Sequence, residues 1–281
     1  MRWIPNAVLA LVFLLAIFAD VFASAEPIFE TENWTVWALI RANPEDVRLD
    51  GKIEVLRAPS AEHVLGTDDR GRDVAARLIH GSRPTLIIAV CSAALASVVA
   101  ILLALLASIR PWLDRLVLAL CDVVAAVPTL LLVLLVRGLW GGGGLLALIL
   151  LISIPSAAAT ARLVREGLCG ALAMPYCEAA VALGLSRFRV LWRHALPASF
   201  SQLKIAAAIT ASTAVLSEVA LSFLGLGLGA GTPSWGELMR QAHENQLAWW
   251  LLVPAGIASA GLAWSLSSQF RGDRGARVHN A

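Results

Sequence analysis

Apolar residues run along this chain in six long blocks, at 6–23, 84–109, 116–137, 145–164, 203–226 and 247–268, separated by shorter polar stretches. Each block approaches the ~20 residues that a helix needs to cross the hydrocarbon layer of a bilayer. Backbone groups in lipid must be paired internally, which leaves helices or a closed barrel. None of the blocks alternates with the period of two that a barrel strand requires, so all six are predicted as transmembrane helices. The expected fold class is therefore an all-α integral membrane protein. Hydrophobic residues make up 58% of the chain and charged residues 15%, a balance that excludes an ordinary soluble domain.

Charge adds an orientation. The short stretch at 110–115 carries Arg110 and Arg115. The stretch after the fourth block carries Arg162, Arg165, Arg187, Arg189 and Arg193, and the tail carries Arg271, Arg274 and Arg277. The short opposite turns carry only Arg240. Basic residues in short loops stay in the cytoplasm, so both termini are expected there, with 24–83, 138–144 and 227–246 outside. The first block has a second reading: Arg2, an apolar run and Ala23-Ser24-Ala25 also fit a cleaved secretory signal. Both readings export residue 26. The net charge of +2 gives no ground for a nucleic-acid partner.

The segment between the fourth and fifth blocks is punctuated like a pair of short helices. Pro175 is a good first-turn residue for a helix over 175–183, and Gly184 is placed to end it. Ser186 is a plausible N-cap for a second helix from Arg187 to Leu196, with Pro197 expected to stop it. This helix mixes Phe188, Leu191 and Trp192 with three arginines, which suits docking to a partner better than burial in lipid.

At Glu178-Ala179-Ala180-x3-Gly184, followed after eleven residues by Leu196-Pro197, the chain resembles the EAA loop of membrane subunits from importers driven by ATP hydrolysis on a separate protein. Two more stretches narrow the likeness. One is Gly66-Thr67-Asp68-Asp69-Arg70-Gly71-Arg72-Asp73. The other is Leu221-Ser222-Phe223-Leu224-Gly225-Leu226-Gly227 with Thr232-Pro233-Ser234-Trp235-Gly236 downstream. Together, over roughly 60–268, they resemble the C-type permease of dipeptide, oligopeptide and nickel importers.

That resemblance implies an ABC type I importer permease fold with six transmembrane helices. It implies an N-terminal helix at 1–25, an exported segment at 26–83, a five-helix core at 84–268 with the coupling loop at 165–199, and a cytoplasmic tail at 269–281. In the bacterial inner membrane such a chain would pair with a second permease, one or two cytoplasmic ATPase subunits and an extracytoplasmic binding protein. It needs no cofactor of its own. Glu178, Ala179, Ala180, Gly184, Leu196 and Pro197 would seat the ATPase, with Arg187, Arg189 and Arg193 steadying the contact. Asp68, Asp69, Arg70, Gly71, Arg72 and Asp73 would form an external gate or receptor contact, against the plainer reading of a solvated, salt-bridged loop. The tail departs from the family: Gln269-Phe270-Arg271-Gly272-Asp273-Arg274-Gly275 is short and Gly-broken, which puts a tail contact with the ATPase in doubt.

Charges inside the blocks cost ~2.5–3.5 kcal/mol at a helix centre and so face protein or water. Arg137 is expected to snorkel outward. Asp122 is expected to make a polar contact between helices. Glu218 heads a polar stripe with Ser222 that fits either the translocation path or helix packing. Pro128 and Pro155 are placed to kink their helices. Gly141-Gly142-Gly143-Gly144 lacks the Lys and Ser or Thr of a phosphate loop and reads as a turn. The four cysteines and five histidines show neither disulfide nor zinc spacing. The leading function is a peptide permease working by alternating access. The alternatives are a nickel or metal-chelate permease, an intramembrane enzyme, and a structural or sensory membrane subunit.

Overall fold

A computed structural model describes residues 3–31, 34–45, 55–140, 144–229 and 231–269. The turn residues Gly141, Gly142 and Gly143 and the tail from Phe270 lie outside the described residues. Among the described residues the regular elements are helices apart from a small antiparallel hairpin, β1 (Phe29–Thr31) with β2 (Trp34–Val36), in which Phe29 faces Val36. Among the described residues, four helices are each long and apolar enough to cross a bilayer: α3 (Val74–Ala107), α6 (Leu145–Leu172), α10 (Phe200–Phe223) and α12 (Trp249–Ser268).

The other two blocks depart from single spans. The third is broken into α4 (Pro111–Ala126) and α5 (Thr129–Trp140), which bend by 74°. Pro128 has no N–H to donate and disfavours a helical residue before it, and Val127 is extended at φ −90°, ψ 120°. Pro155, by contrast, lies within the unbroken α6. The first block gives α1 (Trp3–Ile17), only 15 residues, then the short α2 (Ala19–Phe22).

The chain divides into two compact units. The first takes residues 1–89, 136–148 and 212–269. Here α1 lies on α12, where Ser265 Oγ donates to the Pro5 carbonyl at 2.6 Å. Arg83 closes the other end of α1: its Nε donates to the Ala16 carbonyl at 2.7 Å and its Nη2 pairs with Asp20 at 2.8 Å. Asp73 caps α3 by accepting from the Ala76 N–H at 2.8 Å. Two indoles fix the segments around it. Trp235 Nε1 donates to the Leu78 carbonyl at 2.9 Å, and Trp250 Nε1 donates to the Thr67 carbonyl at 3.1 Å.

The second unit takes residues 90–135 and 149–211. Its core has two clusters that share α6. Ala158 and Ala161 meet Val117 and Cys121 of α4 beside Ala100 and Ala107 of α3. Val164, Leu168 and Ala171 meet Leu191, Ala195 and Leu196. All four cysteines are free thiols.

Candidate functional site

The segment after α6 folds as its turn chemistry dictates. Met174 is extended, Pro175 opens α7 (Pro175–Ala182), and Glu178 stands in the first turn, where the helix dipole favours a carboxylate. Gly184 ends the helix at φ +89°. The Leu185 N–H donates to the Ala180 carbonyl at 3.2 Å and the Gly184 N–H to that of Val181 at 2.9 Å, the paired bonds of a Schellman stop. No atom outside the local chain would come within 4 Å of a Cβ at Gly184, so backbone conformation alone demands glycine there.

Ser186 caps α8 (Arg187–Val190), its side chain accepting from the Arg189 N–H. The helix then widens into a π-helical turn over Leu191–Ala195, where the Leu196 N–H reaches back to the Leu191 carbonyl. Helix α9 (Leu196–Ala198) follows at once, with Pro197 inside its first turn. Pro197 therefore does not stop the helix as its type predicts. The extra residue in the preceding turn shifts the hydrogen-bond register at the point where proline would otherwise clash and leave a carbonyl unpaired.

The two helices anchor inward through Cys177, Val190, Leu191 and Leu196, all buried. Outward they present Glu178, Ala179, Arg187, Arg189, Arg193 and Pro197, while Ala180 is part-exposed. Leu183 is 83% exposed, Phe188 71% and Trp192 55%, an apolar surface set among arginines. A groove of about 660 Å³ runs between α7 and α8, with Glu178, Val181, Arg187 and Phe188 on its walls.

The first unit holds the acidic and basic run. Asp68, Arg72 and Asp73 are buried, not solvated. Asp68 Oδ1 accepts from the N–H groups of Arg70 and Arg72 at 2.9 Å each, and its Oδ2 takes Arg72 Nη2 at 2.6 Å. Arg77 Nε stands 3.5 Å from the same oxygen. Gly71 turns this loop at φ +78°. Asp73 Oδ2 pairs with His63 Nδ1 at 2.8 Å. Within the run 68–73 only Arg70 is exposed, with Asp69 and Gly71 partly so. Burial and the neighbouring Asp68 push the Asp69 carboxyl above its usual range.

Downstream, α10 ends at Gly225 (φ +77°) with the same stop as α7, the Leu226 N–H donating to the Leu221 carbonyl at 2.8 Å. Glu218 is wholly buried, and its Oε1 accepts from Ser222 Oγ and Ser234 Oγ at 2.8 Å each. Ser234 also caps α11 (Trp235–Glu244) by accepting from the Gly236 N–H at 3.2 Å. The glycines of this region are close approaches: a Cβ at Gly227 would meet Ser222 Oγ at 2.0 Å, and one at Gly236 the Val219 carbonyl at 2.3 Å.

Arg137 does not snorkel outward. It is buried, donating through Nη2 to the Gly227 carbonyl at 2.6 Å and through Nε to that of Leu226 at 3.1 Å, because the turn after α10 leaves carbonyls that need a donor. Asp122 makes the expected helix contact, with Arg162. Asp114 with Arg165 and Asp20 with Arg83 are pairs with no signal in residue type or spacing, while Arg240 pairs with both Glu237 and Glu244 at helical spacing. Burial works against the ionised form of Glu237, but the hydrogen bonds of Arg240 and Gln241 and the charges of Arg240 and Arg77 together outweigh it, so this carboxyl sits below its usual range.

The chain is similar to known proteins in sequence and in fold. The family described as the binding-protein-dependent transport system inner membrane component matches residues 96–269. A probable peptide ABC transporter permease, y4tQ of Sinorhizobium fredii, is 35% identical over 212 residues, which is 75% of this chain and 71% of that protein. The di/tripeptide transport system permease DppC of Pseudomonas aeruginosa is 35% identical over 204 residues, 72% of this chain and 67% of that one. In fold, an inward-facing structure of the MetNI methionine ABC transporter aligns with a TM-score of 0.58 at 24% identity, over 72% of this chain and 95% of that one.

Proposed function

Because the chain belongs to the family of binding-protein-dependent transport system inner membrane components, we propose that it passes peptides inward through the bacterial cytoplasmic membrane as one permease of a heterodimeric pair. As a member of that family it is a permease subunit of an ABC importer, and ATP hydrolysis belongs to other subunits. Peptide cargo is supported by the names of the relatives described above, which favour it over nickel. Both termini and the stretch 165–199 would lie in the cytoplasm, with 26–83 facing a binding protein outside and the five-helix core at 84–268. The tail from 269 lies beyond the last span.

One observation carries the coupling role: an exposed helix pair held at a fixed angle by Gly184 and Ser186, with Leu183, Phe188 and Trp192 turned outward. In this reading α7, with Glu178, Ala179 and Ala180, seats in the ATPase. Arg187, Arg189 and Arg193 steady the seat, and Leu196 and Pro197 join it to the membrane helices. On the outer side, Arg70 and Asp69 offer the binding protein its contact. Asp68, Gly71, Arg72 and Asp73 hold that loop in shape. Glu218 and Ser222 belong to helix packing in this reading, since their polar atoms are spent on one another and on Ser234. Alternating access is then a two-state equilibrium biased by nucleotide on the partner.

Gly184→Pro and Glu178→Lys test the coupling role. The first forbids the positive φ at the helix stop and the second reverses a charge on the exposed face. Both are expected to leave the protein in the membrane and to abolish ATPase co-purification and uptake. Normal co-purification and normal uptake in both would refute the assignment.

A further inference from the structure

Helix α6 presents two stripes within the second unit. Val164, Leu168 and Ala171 form the seat of the π-helical turn, so this stripe belongs to the loop. Ala158, Ala161, Arg162 and Arg165 recur at helical spacing on the other, and both alanines pack on Val117 and Cys121 of α4. Small residues let two helices approach closely but supply little that fixes one register over another. The register here is pinned by charge at both ends of the apolar contact. Arg165 grips Asp114 with two parallel bonds, Nε to Oδ1 and Nη2 to Oδ2, and Arg162 pairs with Asp122. The earlier aspartate pairs with the later arginine, as antiparallel neighbours require. The forked geometry of a guanidinium on a carboxylate adds direction as well as energy.

We propose that Asp114 and Asp122 are positioning residues for energy coupling: they lock α4 to α6, so that a displacement of the loop is handed to α4 as one rigid movement. The proposal rests on the loop's role argued above. Without the two pairs, the alanine stripe would let α6 slip along α4, and movement at the loop would be spent in sliding. The two ion pairs matter for how much transport each hydrolysis yields, while the surface that the ATPase meets stays as it is.

The test uses the complete transporter in proteoliposomes, with both permeases, the ATPase subunits, the binding protein and a radiolabelled tripeptide that the unaltered complex takes up. Asp114→Arg and Arg165→Asp are measured singly and together, beside the milder Asp114→Asn and Asp122→Asn. Each single charge reversal is expected to keep ATPase co-purification and to lower tripeptide moved per ATP hydrolysed by about fivefold or more, a typical strength for coupling between sites. The exchanged double variant is expected to return that ratio close to the unaltered value. A ratio unchanged in the single variants, or one that stays low in an assembled double variant, overturns the proposal. So does loss of ATPase binding in the single variants, which would make the pairs a prop for the loop surface. If a charge reversal does not accumulate, the two Asn variants carry the same expectation with a smaller fall, and an unchanged ratio in both refutes it. Failure of the loop reading is seen separately, as normal ATPase binding and uptake in Gly184→Pro and Glu178→Lys.

Discussion

Ser234 Oγ lies 2.8 Å from Glu218 Oε1, so the hydroxyl that caps α11 also holds the one carboxylate buried in α10. Ser222 Oγ donates to the same oxygen, and Thr85 Oγ1 of α3 stands 3.5 Å from Oε2. Three helices therefore meet on a single side chain. Glu218→Gln keeps an acceptor for both serines and adds a donor that can face Thr85. Membrane abundance and uptake per molecule are expected to stay close to those of the unaltered protein. Glu218→Leu strands the hydroxyls, at about 1–3 kcal/mol for each unsatisfied buried group, and should lower abundance without changing uptake per molecule. Altered cargo preference in the Gln variant would instead place Glu218 on the translocation path.

The close approach at Gly236 gives a stability prediction with its own control. A Cβ there meets the backbone carbonyl of Val219, which cannot swing aside, whereas one at Gly138 meets nothing within 4 Å. Gly236→Ala should cost about 1–3 kcal/mol through overpacking, read as a lower midpoint of thermal unfolding in detergent. Gly138→Ala, in the last turn of α5, should leave the midpoint unchanged or raise it slightly.

Glu237 gives a pH dependence whose sign follows from its environment. Burial opposes ionisation, and Arg240, Gln241 and Arg77 together more than reverse this, so the folded carboxyl titrates below the unfolded one. Its contribution to stability is complete above the ordinary glutamate value of about 4.3 and fades as pH falls through the lower folded value. The unfolding midpoint of Glu237→Gln should therefore be the lower of the two at neutral pH and converge on that of the parent in acid. Parallel midpoints across the range would show that the pair contributes nothing.

Orientation can be read with single cysteines in a background where Cys91, Cys121, Cys169 and Cys177 are replaced. Val64 and Leu183 suit the purpose, at 65% and 83% exposed. An impermeant thiol reagent is expected to reach Val64→Cys on intact cells and Leu183→Cys only in inverted membrane vesicles. The reverse pattern would turn the topology over.

What could be read from sequence is local. Pro175, Gly184 and Ser186 act within a few residues of themselves, so the helix start, stop and cap at the coupling loop follow from residue type. The six apolar blocks are likewise each helical, because their length and lack of alternation leave no other way to satisfy the backbone. Partners distant in sequence were not legible: nothing near Arg137 says that the carbonyls of Leu226 and Gly227 will meet it, and nothing near Asp114 points to Arg165. The acidic and basic run at 68–73 reads from its charges either as a solvated loop or as an external contact, and residue type does not choose between them. Its burial depends on Trp250 covering Thr67 and on Arg77 approaching from the next helix. Pro197 misled for a different reason, since a wider turn just before a proline removes the conflict that makes proline a stop signal.

The stop at Gly184 is made of two backbone hydrogen bonds and one positive φ, with empty space around it. The angle between α7 and α8 thus owes little to the side chains that point away from the chain. Leu183, Phe188 and Trp192 could be exchanged for other residues while the bend that presents them kept its shape. A lineage could retune which ATPase its permease accepts, one surface position at a time, on a frame that does not have to be refolded to follow.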